Sequence, residues 1–204
     1  MNRRRALLSF IACKQTEPSI PNNQILYTSS DGNVITPYRT TVFGANIISN
    51  TYNNVMGIIT FDGDVTDIGQ SAFSGCNKLT SVTIPNSVTT IGSSAFNNCY
   101  RLKSIPIPDS VTSIDESAFE YCDSLTSVTI GNSVTAIGYY AFNGCDSLKD
   151  IYCKPITPPT LWGSGVFEDN ISDRKIYVPM ESVEAYKIAE YWSEYADAIV
   201  GYNF

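Results

Sequence analysis

The chain has 204 residues, 43% hydrophobic and 16% charged, with a net charge of −7 and no histidine. That length and apolar content fit one globular domain with a sizeable core. The acidity argues against nucleic-acid phosphates as a partner, and the missing histidine removes Ser-His-Asp and Cys-His catalysis and the commonest metal ligand.

Met1–Arg5 is basic, Ala6–Ala12 is mostly apolar, and Cys13 follows. This is the order of a secretory signal. A cysteine after Phe-Ile-Ala also resembles a bacterial lipoprotein cleavage box, which makes Cys13 a lipidation candidate and residues 1–13 a signal peptide. The same residues also read as a mis-assigned start or a disordered tail. Residues 14–24 are polar, contain Pro18 and Pro21, and read as a tether. No stretch approaches ~20 apolar residues, so no membrane-spanning helix is expected.

Residues 25–57 read as an N-terminal β cap. Ile25–Thr28 and Val34–Thr36 flank Ser-Ser-Asp31-Gly32, a hairpin signal. A cap is needed because a repeat array otherwise exposes apolar slots and strand edges at its end.

A 23-residue unit then recurs four times without a gap, as Val65–Ser87, Val88–Ser110, Val111–Ser133 and Val134–Ile156. This period, with recurring Leu, Ile and Cys, marks a leucine-rich-repeat solenoid. In the second copy the apolar slots are Val88, Ile91, Ala95, Phe96, Cys99, Leu102, Ile105 and Ile107. One coil cannot bury so many apolar groups, but stacked coils can, because each slot meets its own copy above and below. Leu79–Ile84 alternates apolar and polar, a strand signal. Val88–Gly92 reads as a shorter extended piece, and Ser94–Asn98 suits a helical turn. Strands of the same phase must lie parallel, ~4.8 Å apart.

The pattern extends outward. Ile59 and Phe61 precede Val65 as Val82 and Ile84 precede Val88, which predicts an earlier strand over 58–62. Phe167, Ile176, Val178 and Pro179 form a worn fifth copy displaced by two residues, with the insertion expected at Pro155–Pro159. Six long strands result. Pro106 sits between inward Ile105 and Ile107, where a ladder donor is needed, so one hydrogen bond between coils should be missing there. Residues 157–204 are expected to hold the worn copy and a C-terminal helical cap over Ser182–Ala198, closed by Trp192 and Tyr195. The expected fold is mainly β with short helical turns: a right-handed-type solenoid over 58–156 with caps at both ends.

These residues resemble the BspA-like leucine-rich-repeat family, whose unit is close to LxxIxIPxxVxxIGxxAFxxCxxL. The Ile-Pro, Ile-Gly, Ala-Phe and Cys-x-x-Leu elements recur here in register. Departures are Pro106, Gly131 for Pro, Asp115 for Gly and Cys153 for Ile. The family is common among surface proteins of oral and gut bacteria, and several members look like adhesins for matrix proteins or other cells. The resemblance therefore implies an exported protein, at the cell surface or anchored to the outer membrane.

Cys76, Cys99, Cys122 and Cys145 are spaced by 23 residues, without the close pairs of a zinc site. Register stacking accounts for that spacing, and buried free thiols are expected. Parallel stacking makes disulfides strained, because Cβ atoms stay slightly farther apart than the ~3.5–4.5 Å a bridge needs. Phe73, Phe96, Phe119, Phe142 and Phe167 read as a core ladder. Asp62, Asp64 and Asp67 lack the glycine and distal glutamate of a calcium loop. No cofactor motif and no catalytic constellation is evident, so the chain reads as non-enzymatic.

Functional information lies where the copies disagree. The outward strand positions Ser81, Thr83, Ser104, Thr129, Asp150 and Tyr152 form a polar strip ending in an aromatic. Tyr100, Tyr121, Tyr139 and Tyr140 occupy slots that other copies fill with Asn, Gly, Gln or Ser, and exposed tyrosines are favoured binding anchors. The expected partner is a protein or a glycan, bound in an adhesin-like manner. The alternative is a scaffold or stalk module of a surface assembly with no ligand of its own.

Overall fold

The computed structural model describes residues 20–204. Cys13, the signal and most of the tether lie outside the described residues. In chain order the strands are β1 (Gln24–Ser29), β2 (Ile47–Tyr52), β3 (Gly57–Phe61), β4 (Asp67–Ile68), β5 (Leu79–Thr83), β6 (Thr90–Ile91) and β7 (Ser104–Pro106). They continue as β8 (Ser113–Ile114), β9 (Ser127–Ile130), β10 (Ala136–Ile137), β11 (Asp150–Cys153), β12 (Thr160–Leu161), β13 (Lys175–Pro179) and β14 (Ile199–Tyr202), with helix α1 (Val183–Ile188) between the last two.

Each coil contributes one short and one long strand, so the repeat builds two sheets. The short strands stack in the order β12-β10-β8-β6-β4. The long strands belong to a nine-stranded sheet ordered β14-β13-β11-β9-β7-β5-β1-β3-β2. Between the two sheets lies the apolar interior. Val88, Ile91, Ala95, Phe96, Cys99, Leu102 and Ile105 are all at most 1% exposed, as the slot reading requires.

The turn between the two strands of a coil is held in three ways. Within the coil, Ala95 N–H donates to Gly92 O and Asn97 N–H to Ser94 O. Between coils, Phe73 N–H donates to Ala95 O and Phe96 N–H to Ala118 O. The phenylalanines stack with centroids 5.1–5.5 Å apart from Phe73 to Phe167. Phe43 closes this ladder at its N-terminal end, and Trp192 with Tyr195 at the other. On the short-strand side, Thr89, Thr112 and Thr135 hydroxyls donate to the carbonyls of Thr66, Thr89 and Thr112.

The N-terminal region departs from the expectation. β3 forms where a strand was predicted, with Ile59 and Phe61 inward. It does not stack on β5, because β1 lies between them, antiparallel to both. β1 fills that space with buried Ile25 and Tyr27. Val34–Thr36 is not a strand, so the hairpin reading is corrected: β1 takes β3 and β5 as partners instead. The Asp31-Gly32 turn itself forms, with Asn33 N–H donating to Asp31 Oδ1. The six parallel long strands are therefore β5, β7, β9, β11, β13 and β14, the sixth being β14 at the C-terminal end rather than residues 58–62 beside β5.

At Pro106 the ladder shortens as expected. β5 and β7 share one register pair, Ser81 with Ser104, against three between β7 and β9 and four between β9 and β11.

The two inserted residues of the worn copy are not together. Ile137 pairs with Leu161 at an offset of 24, and Asp150 pairs with Lys175 at 25. One extra residue thus precedes Thr160, in the proline-rich segment. The other falls between Leu161 and Phe167, because Phe142 already stacks on Phe167 at the full offset.

The C-terminal cap is less helical than its spacing suggested. α1 covers six residues, a 3₁₀ stretch covers Trp192–Ala198, and Tyr191 between them is left-handed at φ 61°. Ser182 makes no side-chain cap bond. Ile199–Tyr202 then turns into β14, parallel to β13.

Candidate ligand-binding surfaces

The candidate residues fall in three separate places. The first is the outward face of the nine-stranded sheet. Pro106, Thr129, Tyr152 and Tyr177 lie side by side in register. A second row runs Ser81, Ser104, Ser127, Asp150 and Lys175. Ser81 is engaged by the cap, since its hydroxyl bonds Thr28 Oγ1 at 2.6 Å. Thr83 and Ser104 are exposed, and Thr129, Asp150 and Tyr152 are half-buried.

This face ends in an aromatic cluster. Tyr152 and Tyr177 stack at 4.8 Å, and Tyr202 stands edge-on to both at 5.5 Å. Phe204 packs on Tyr202 at 5.0 Å and is itself 53% exposed. Tyr177 Oη donates to Asp150 Oδ1 at 3.2 Å. Desolvation first, then the Asp150 carboxylate, push the Tyr152 and Tyr177 hydroxyls above their ordinary value. Tyr177 was legible as the outward slot of the worn copy, between Ile176 and Val178. Tyr202 and Phe204 had no repeat signal, because β14 belongs to no copy.

The second place is one side of the phenylalanine turn. Tyr100 and Tyr121, each just under half exposed, line an open groove of about 720 Å³ with Asp123, Asp146, Asp169 and Asn98. Tyr121 is left-handed at φ 57° in the slot held by Asn98 and Gly144 in neighbouring coils. Its ring rests on Gly144, where an added Cβ would lie 2.5 Å from Cδ1.

The third place is the opposite side of that turn. Tyr139 rests on Gly163 and Tyr140 on Gly165 in the same manner. Tyr140 is left-handed at φ 56°, in the slot filled by Ser71, Ser94 and Ser117. Trp162, 42% exposed, stands edge-on to Tyr139 at 6.3 Å. Each tyrosine therefore has one face on a glycine of the next coil and the other open to solvent.

A family model described as "BspA type Leucine rich repeat region" matches residues 45–174 in six copies. The chain belongs to the BspA-type leucine-rich repeat family. A solved leucine-rich repeat protein of Treponema pallidum is 30% identical over 70% of this chain, with a TM-score of 0.54. A leucine-rich repeat protein of Bacteroides ovatus is 25% identical over 56% of the chain (TM-score 0.40). A leucine rich cell surface protein of Faecalibacterium prausnitzii is 29% identical over 59% (TM-score 0.44). This chain spans 64%, 43% and 41% of those three proteins' lengths. No curated protein matches it.

The family's cysteine slot has a use that spacing alone did not show. Cys99, Cys122 and Cys145 donate their thiols to the carbonyls of Phe73, Phe96 and Phe119 in the preceding coil, at 3.2–3.3 Å. The cysteine is thus a small apolar group with one weak donor, and the donor is satisfied. Cys76, at the N-terminal end, is only half-buried and donates to Thr36 O at 3.6 Å. All five described cysteines are free. Among the described residues no group of three metal-ligating side chains converges, and no helix is long and apolar enough to cross a membrane.

Proposed function

We propose that this BspA-type protein is a non-enzymatic, surface-exposed binding protein that captures a protein ligand on the outward face of its nine-stranded sheet. The observation that carries this reading is the Tyr152–Tyr177–Tyr202–Phe204 cluster. Stacked aromatics with an apolar body and a polar tip are the residue type that dominates interface energetics. Tyr152 and Tyr177 stand on strands locked by ladders on both sides, so little of their ordering entropy is lost on binding. Thr129, Ser104 and Thr83 extend the face as a polar flank. Family membership supports the same reading, because repeat solenoids of this kind serve as interaction platforms.

The test is a binding screen against immobilised extracellular-matrix proteins and whole cells. The wild-type chain is compared with a Tyr152→Ala, Tyr177→Ala, Tyr202→Ala variant. Loss of binding with an unchanged melting temperature supports the proposal. Unchanged adhesion by the variant points instead to a scaffold module.

A further inference from the structure

From the geometry of the groove beside the phenylalanine turn, we infer a second binding site, separate from the sheet face, that takes a glycan chain. Its floor is aromatic. Tyr121 has its inner face pinned on Gly144, which leaves the outer face as a fixed platform. Tyr100, in the preceding coil, is held by a 2.7 Å bond from its hydroxyl to Asn98 Oδ1. A pyranose ring presents a flat face of C–H groups and a rim of hydroxyls, which is the complement of a tyrosine face bordered by polar groups.

The border consists of acceptors. Asp123 and Asp146 occupy the same slot in successive coils, and Asp169 of the worn copy lines the groove from the left-handed slot of Tyr121 and Gly144. None of the three is paired with a lysine or arginine among the described residues; the two ion pairs there are Lys149–Asp173 and Lys154–Asp109. The side-chain amide donors nearby are mostly used. Asn98 Nδ2 gives one of its two hydrogens to Asn97 Oδ1, and Asn170 Nδ2 gives both of its own to the Phe142 and Glu168 carbonyls. A ligand here must therefore bring donors. Sugar hydroxyls do so at every ring, whereas an extended peptide brings a carbonyl for every N–H, more acceptors than the Tyr121 hydroxyl and the remaining Asn98 amide hydrogen can meet. Coils repeat at ~4.8 Å, close to the length of one sugar unit along a chain, so Asp123 and Asp146 present one carboxylate to each of two successive rings.

Desolvation, with Asp146 as the next cause, holds the Asp123 carboxyl above its ordinary value. The groove's volume of about 720 Å³ lies within the range of ligand sites, ~300–1,000 Å³, and is large enough for a short oligosaccharide.

The experiment is isothermal titration of the whole chain with hexasaccharides of four linkage classes: cello-, malto-, xylo- and chito-oligosaccharide. The key variant is Tyr100→Asn with Tyr121→Asn. Asparagine already fills both slots in other coils, at Asn77 and Asn98, so the backbone, including the left-handed position, accepts it. At least one hexasaccharide is expected to bind, and the double variant to weaken it about tenfold or more. Tyr177→Ala, on the sheet face, should leave that affinity unchanged. The inference is overturned if no hexasaccharide binds, or if the double variant binds equally well. It is also overturned if a lysine hexapeptide, and no sugar, binds in a Tyr100/Tyr121-dependent way. Failure here leaves the sheet-face proposal standing, because the two sites share no residue.

Discussion

The ring of Tyr140 lies on Gly165 of the next coil, so closely that a methyl group at Gly165 would stand 2.5 Å from ring atom Cε1. The two residues are a matched pair: a large side chain fills a slot that other copies give to serine, and its neighbour lacks a side chain. Gly165→Ala should therefore destabilise the fold by about 1–3 kcal/mol through overpacking. In a Tyr140→Ser background the same substitution should cost much less. A double-mutant cycle by chemical denaturation measures the coupling, and additive effects would contradict the pairing.

Phe96 is fully buried between Phe73 and Phe119. Phe96→Ala removes a ring from the middle of a continuous stack, and the coils above and below cannot close the gap without breaking their own ladders. A loss of about 3–5 kcal/mol is expected. Denaturant midpoints at unchanged slope would measure it.

The long-strand ladder has its weakest junction at Pro106. Pro106→Thr supplies a backbone donor and restores the residue found at Thr83 and Thr129. It should stabilise by about 0.5–1.5 kcal/mol and slow amide exchange in β5 and β7. Unchanged exchange there would show that the shortened pairing has another cause.

The interior thiols set an alkaline limit. Burial pushes Cys76 up to about 11 and Cys153 up to about 12, from an ordinary value of 9.0. Cys99 and Cys122 move in the same direction for the same first cause. Each folded value is raised, so the folded state holds the proton that the unfolded state releases. The resulting stability is complete below about pH 9 and is lost as pH rises through 11 to 12. Melting temperature should accordingly fall steeply above pH 9. At pH 8 a disulfide reagent should reach Cys76 first and leave Cys99, Cys122 and Cys145 unmodified until the chain unfolds. A disulfide found by peptide mapping of the denatured chain at Cys76, Cys99, Cys122, Cys145 or Cys153 would contradict the bonding scheme.

Legibility in the sequence followed locality. The slots Val88 to Ile107 could be read because each residue's partner is its own copy, 23 positions away. The strand character of Ile25–Thr28 was equally plain, but its place between β3 and β5 was not. Alternation reports which side chains face inward and carries no information about the neighbouring strand. That missing piece also hid the fate of Ser81, whose hydroxyl is taken by Thr28. On the sheet face Tyr152 could be found as a departure from its copies, yet its stacking partners come from β13 and β14, the second lying outside the repeat. The tyrosine–glycine pairs were hidden for a similar reason. The repeat gives no sign that Gly144 and Gly165 receive the rings of Tyr121 and Tyr140 from the preceding coil.

In the proposed function the aromatic end of the sheet face, and not the solenoid as a mere spacer, carries binding. The most direct measurement is surface plasmon resonance of the chain over a panel of immobilised matrix proteins. Wild type is run beside the Tyr152→Ala, Tyr177→Ala, Tyr202→Ala variant, with thermal melts on both. Specific binding by wild type is expected, with a loss of about thirtyfold or more in the variant, as for hot-spot residues, and matching melting curves. Equal binding by the two proteins would contradict that reading.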